Sequence, residues 1–184
     1  QFEITVTPVK DGQGYNNNIT VEPTAGGGDL TKLTAEQKEF YNSFNGAATD
    51  NATVRQEVVQ NDANTVVGSF LTGKIDIADV QEFDKAGAGA ASSGGALIHE
   101  TTEQLEKAKD GLNPGDWSKT VGTNKLSPEF IKDHAAAIVA ENKVNGNSRN
   151  DQTDVFTDSQ GKKTQQTVTP TSSGGVSITK TPIP

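Results

Sequence analysis

The chain has 184 residues, which fits one domain or one domain with tails. Its net charge of −8 and pI of about 4.7 argue against a nucleic-acid footprint, which needs a basic face. Cysteine is absent, which removes disulfides, thiolate metal sites and cysteine nucleophiles together. Methionine is absent too, even at position 1, so the expectation is a processed chain or a piece of a longer protein. Hydrophobic residues make up only 32%, and they concentrate between Leu30 and Val144, where the core is expected. No stretch approaches the roughly 18 apolar residues of a membrane helix.

Residues 2–9 alternate Phe2, Ile4 and Val6 against Glu3, Thr5 and Thr7, the pattern of a half-buried strand. Residues 11–18 carry turn chemistry, with two glycines and three successive asparagines. A second strand is expected at Ile19-Thr20-Val21, stopped by Pro23. Gly26-Gly27-Gly28 reads as a flexible joint and lacks the spacing of a phosphate loop.

Thr34 caps a helix, with Gln37 placed to complete a capping box. Leu33, Phe40, Tyr41 and Phe44 fall on one side of it, and Asn45-Gly46 is expected to end it. Residues 54–59 and 65–71 read as two strands joined through residues 61–64. The three aromatics are expected to pack on that pair. Residues 74–77 add a third strand, and residues 78–83 a helical turn. Residues 87–95 hold no side chain larger than serine, which signals a flexible loop or a close backbone approach.

A helix follows over residues 96–109, capped by Ser92 or Ser93 and ended by Gly111 and Pro114. A loop carries Trp117, read as a core or loop anchor. Ser127 as N-cap and Pro128 at the first helical position start a further helix that runs to about Val144. Residues 147–152 then read as a polar linker. Short strands are expected at Val155-Phe156, residues 166–169 and residues 176–178, with an extended end at residues 181–184. The resulting division is a hairpin and Gly-rich linker over 1–29, a core over 30–146 and a polar extension over 147–184.

Both histidines of the chain lie on the two long helices. His99 opens His99-Glu100-Thr101-Thr102-Glu103, and i and i+4 share a helix face. A His and a carboxylate on one face, with His134 from the second helix, make a three-ligand set with an open fourth position. Glu100 stands where a general base belongs in the H-E-x-x-H pattern, whose second histidine is here Glu103. Glu106, Asp133 and Glu141 are candidates to hold the outer ring nitrogens of the histidines. The competing reading is a solvated helix face of good helix formers. Against it stands the apolar lead-in Ala96-Leu97-Ile98, which suggests a buried helix.

The stretch GGALIHETTEQ, with HAAAIVAEN about thirty residues on, resembles the zincin-type metallopeptidase domains at the C-terminal ends of bacterial RHS-repeat and other polymorphic toxin proteins. The resemblance covers residues 54–145 at most. It implies an α+β, zincin-like fold, with a small antiparallel or mixed sheet packed on an active-site helix and a second ligand-bearing helix. It further implies a zinc ion held by His99, Glu103 and His134, with Glu100 as base. The expected activity is hydrolysis of a protein or peptide substrate by a secreted bacterial effector or toxin domain. An immunity or carrier protein is a candidate partner, the chain is expected to be monomeric, and neither nucleic acid nor a membrane span is expected. The alternatives are a non-catalytic secreted or surface binding module, and a zincin fold that has lost activity.

Overall fold

The computed structural model describes residues 2–11, 14–23, 29–113, 115 and 127–184. The Gly26–28 joint, the Pro114 stop and Trp117 lie outside the described residues. The architecture is α+β, with four α-helices and three small sheets among the described residues. No described helix is long and apolar enough to cross a membrane.

The first sheet is an antiparallel hairpin of β1 (Phe2–Asp11) and β2 (Gly14–Pro23). The second strand starts at Gly14 rather than Ile19. Asn16, Asn17 and Asn18 therefore stand in the ladder opposite Val9, Pro8 and Thr7. Pairing in register supplies every residue with a cross-strand partner, and this overrides the turn preference of asparagine.

Helix α1 (Ala35–Thr49) has its complete capping box: Thr34 Oγ1 accepts from Gln37 N, and Gln37 Oε1 accepts from Thr34 N. It passes through Asn45-Gly46, because one glycine costs a helix only about 1 kcal/mol. It ends three residues later, where Thr49 Oγ1 donates back to the Asn45 carbonyl at 2.8 Å. The aromatics of α1 do not pack on the strands of residues 54–71. Phe40, Tyr41 and Phe44 instead line a groove with Gly94 of α3 (Ser93–Lys109) and Val144 of α4 (Pro128–Asn145). The two phenylalanine rings stack at 5.9 Å.

The second sheet has β3 (Glu57–Val59), β4 (Gly68–Ser69) and β5 (Lys74–Asp76) in the order β3-β5-β4, parallel then antiparallel. The two strands read at residues 54–59 and 65–71 are not neighbours, because β5 lies between them. The connecting loop explains this. Asp62 N donates to Asp76 Oδ2 at 2.6 Å, and the Asp62 carboxylate takes Lys74 Nζ at 3.0 Å. Both contacts tie the loop to β5. Val67 then breaks the second segment, at φ 62°, an outlier for a β-branched residue. Its N–H is held by Asp79 Oδ2 and its carbonyl by Asp76 N. Asp76 also caps α2 (Ile77–Lys85) through the N–H groups of Ala78 and Asp79.

Of the small-residue run 87–95, residues 93–95 already belong to α3, which starts at Ser93 rather than Ala96, and residues 87–91 are a close backbone approach. Lys180 Nζ donates to the carbonyls of Phe83, Gly87 and Ala91, and Gln166 Oε1 accepts from Ala91 N. Ser92 caps α3, and Ser127 caps α4 with Pro128 at its start. The two helices meet closely at their ends. The Asn145 side chain occupies the space where Gly95 would carry a Cβ, and its Oδ1 accepts from both Ser92 N and Ser92 Oγ. A left-handed Gly146 closes α4.

The third sheet is antiparallel, β6 (Asn147–Asn150), β7 (Val155–Asp158), β8 (Lys163–Pro170) and β9 (Val176–Ile183) in chain order. Residues 147–150 are thus a strand and not a linker, and residues 176–183 form one strand rather than two pieces. The sheet reads as polar because its buried positions are few, but they are deep. Phe156 is 0% exposed and joins Phe83, Ala90, Ala91 and Ala96 in one apolar cluster. Val67, Val168 and Ile178 pack against it.

Candidate metal centre

Helices α3 and α4 pack along each other and bring the two histidines face to face, with ring centroids 4.8 Å apart. His99 and Glu103, four residues apart on α3, both point at α4, as the helical repeat requires. His99 Nε2 lies 3.3 Å from Glu103 Oε1 and 3.2 Å from His134 Nδ1, and Glu103 Oε1 lies 2.5 Å from His134 Nδ1. Glu103 and His99 are buried, and His134 is half-buried. These three side chains form a group that could hold a metal ion.

Donors at about 2.0–2.2 Å from a tetrahedral centre stand about 3.3–3.6 Å from one another. Two edges of the triangle meet or nearly meet that span. The third is a hydrogen-bond distance, which an entering ion would have to open. The donor chemistry, two imidazoles and one carboxylate, suits a borderline cation with a vacant position for water.

The outer nitrogens are also held. His99 Nδ1 donates to Glu141 Oε2 at 2.8 Å, and His134 Nε2 donates to Asp151 Oδ1 at 2.9 Å. Of the three carboxylates expected for this task, only Glu141 performs it. Glu106 pairs with Lys109 at 2.8 Å, and Asp133 lies beside Lys132 at 3.4 Å. The sequence reading missed Asp151 and Arg149, whose NH1 reaches Glu141 Oε2 at 3.0 Å. Both sit where the sequence reads as linker, although the pairing that shapes the segment is local, with Arg149 opposite Phe156 in the β6–β7 hairpin. The polar, turn-forming composition of residues 147–152 hid that strand.

Glu100 lines the same cavity without touching the ligand atoms. This cavity, about 350 Å³, is walled by Val67, Phe83, Ala96 and Phe130 on its apolar side and by Gln166 and Val168 from the third sheet. The Glu100 carboxylate packs on the backbone of Gly68 in β4.

The electrostatics separate the two glutamates. Burial pushes the Glu100 carboxyl up to about 7, and the neighbouring Glu103 charge adds to the shift. Burial acts on Glu103 in the same direction, but hydrogen bonds from His134 and His99 outweigh it and hold that carboxyl at about 2. Burial disfavours the His99 imidazolium, yet hydrogen bonds to Glu103 and Glu141 raise it to about 10. His134 is raised in the same way, against its own desolvation, by Glu103 and Asp151. Without a metal the cluster is therefore a set of buried ion pairs.

Comparison of the chain with protein-family models, with curated proteins and with solved structures finds no match.

Proposed function

We propose that the chain is a zinc-dependent peptidase with a zincin-like fold, acting as a secreted bacterial effector or toxin domain. One observation carries the reading. His99 Nε2, Glu103 Oε1 and His134 Nδ1 converge from two helices, while Glu100 stands free on the wall of the same cavity. His99, Glu103 and His134 would hold the ion. Bound zinc supplies Lewis acidity for a water and for the carbonyl of the scissile bond.

The chain's own residues do the rest. Glu100, poised near neutrality, takes a proton from the attacking water at a carboxylate oxygen and returns it to the leaving amine. The apolar walls exclude bulk water and strengthen each polar contact inside. The third sheet adds Gln166, Val168 and Arg149 to these walls, with Asp154 beside them, so the cavity offers a substrate side chain both apolar surface and charged groups.

The test is elemental analysis of the purified chain together with cleavage of a peptide library. The expected result is about one zinc per chain and cleavage that a chelator abolishes. A folded, metal-free chain that cleaves nothing after zinc is added overturns the reading. One observation favours a second reading, an inactive zincin-like fold or a non-catalytic binding module. The 2.5 Å Glu103–His134 contact lets the cluster close as a buried ion-pair network joining α3 to α4 without metal.

A further inference from the structure

We infer that the hairpin of β6 and β7 is the outer brace of the metal centre, with Arg149 and Asp151 as positioning residues that fix which nitrogen each histidine presents to the ion. The inference rests on the metal-centre reading above and adds residues that lie outside the ligand helices.

Arg149 is held on several sides. Its NH1 donates to Glu141 Oε2 at 3.0 Å, while Nε and NH2 donate to Asp154 Oδ1 at 3.2 and 2.9 Å. The guanidinium also lies over the Phe156 ring, 5.9 Å from its centroid. The same Glu141 oxygen accepts His99 Nδ1–H at 2.8 Å. A buried carboxylate that served His99 alone would carry an uncompensated charge, and Arg149 compensates it. This fork geometry is specific to a guanidinium, which binds two carboxylates in one plane.

The second arm is Asp151. It takes His134 Nε2–H at 2.9 Å, and the Phe130 ring stacks on the same imidazole at 5.1 Å. His134 is thereby left with Nδ1 toward the centre, whereas His99 presents Nε2. The two histidines ligate through different nitrogens, and each assignment is set by a carboxylate tied to the third sheet. Outer carboxylates of this kind orient the ring and raise its basicity as a ligand.

The experiment compares the full chain with Arg149→Met, Arg149→Lys and Asp151→Ala. Zinc affinity is read by chelator competition, the centre by the visible absorption of the cobalt(II)-loaded protein, and the fold by melting without metal. Arg149→Met and Asp151→Ala are expected to weaken zinc binding by about 10–100-fold and to alter the cobalt spectrum. Arg149→Lys is expected to recover part of the affinity, since it keeps one donor. The Asp151 side chain is 49% exposed, so Asp151→Ala should melt near the parent and decides the matter if Arg149→Met does not fold. Parental affinity and spectrum in the folded variants overturn the brace and leave the metal centre standing. A folded parent that binds neither zinc nor cobalt overturns both.

Discussion

Gly68 and Glu100 occupy one another's space: a Cβ on Gly68 would coincide with the Glu100 carboxylate. The close approach of β4 to α3 is what lets this carboxylate lie along the cavity wall that His99, Glu103 and His134 also line. Gly68→Ala should therefore move Glu100 rather than unfold the protein, because the obstructed atoms are the far end of a flexible side chain. Zinc content should hold while turnover falls by about 100-fold, the penalty of a misplacement near 1 Å. Parental turnover in Gly68→Ala would show that the base does not work from this wall.

Binding and catalysis are separable with two further variants. Glu100→Gln keeps shape and hydrogen bonding but removes the proton acceptor. It should retain zinc and lose turnover by roughly 100-fold or more. His134→Ala should lose the metal, since two protein ligands rarely hold zinc. The two are compared by metal content and by cleavage of the same peptide library. If Glu100→Gln cleaves as the parent does, Glu100 has no part in the reaction.

The legible parts of this protein are those written locally. The Thr34 box, the Ser92 cap and the Ser127-Pro128 start depend on residues within one helical turn, and each stands where the pattern puts it. The triad was legible for the same reason on α3, where four residues bring His99 and Glu103 to one face. What failed was pairing at a distance. Residues 54–59 and 65–71 read as successive strands, but Asp62 ties their loop to β5, which lies between them. Phe40 and Phe44 were correctly apolar, yet a periodic pattern does not say which element covers it. Arg149 escaped for a different reason, composition rather than distance. Its neighbours Asn147, Ser148, Asn150 and Asp151 have turn composition, and only the antiparallel match with β7 makes them a strand.

The third sheet should prove integral to the fold. Phe156 on β7 is fully buried and belongs to the cluster formed with Phe83, Ala91 and Ala96. Phe156→Ala deletes that ring and should cost about 3–5 kcal/mol in denaturant unfolding. It should also weaken zinc binding, because the Arg149 guanidinium rests on the same ring. A loss below about 1 kcal/mol, small for such a deletion, would mean that the C-terminal strands dock only loosely on the helices.

The metal-free protein should be most stable on the acidic side of neutrality. His99 rises from 6.5 to about 10 on folding, so its contribution is complete below 6.5 and is lost as the pH climbs toward 10. Glu100 rises from 4.5 to about 7, so its contribution is complete below 4.5 and is lost through 7. Glu103 is the opposite case: it falls from 4.5 to about 2, and its contribution is present above 4.5 and lost as the pH drops through 2. The three together place the maximum at about pH 4.5–5, with a long decline on the alkaline side. Zinc should invert that alkaline limb, because binding requires neutral imidazoles and competes with their protons. Melting curves taken across pH with chelator, and again with zinc, read both limbs. In chelator, His99→Gln should flatten the part of the decline above neutrality. A metal-free melting temperature that stays level between about pH 5 and about pH 9 would mean that His99 and Glu100 are not held in the buried, ion-paired cluster from which these shifts arise.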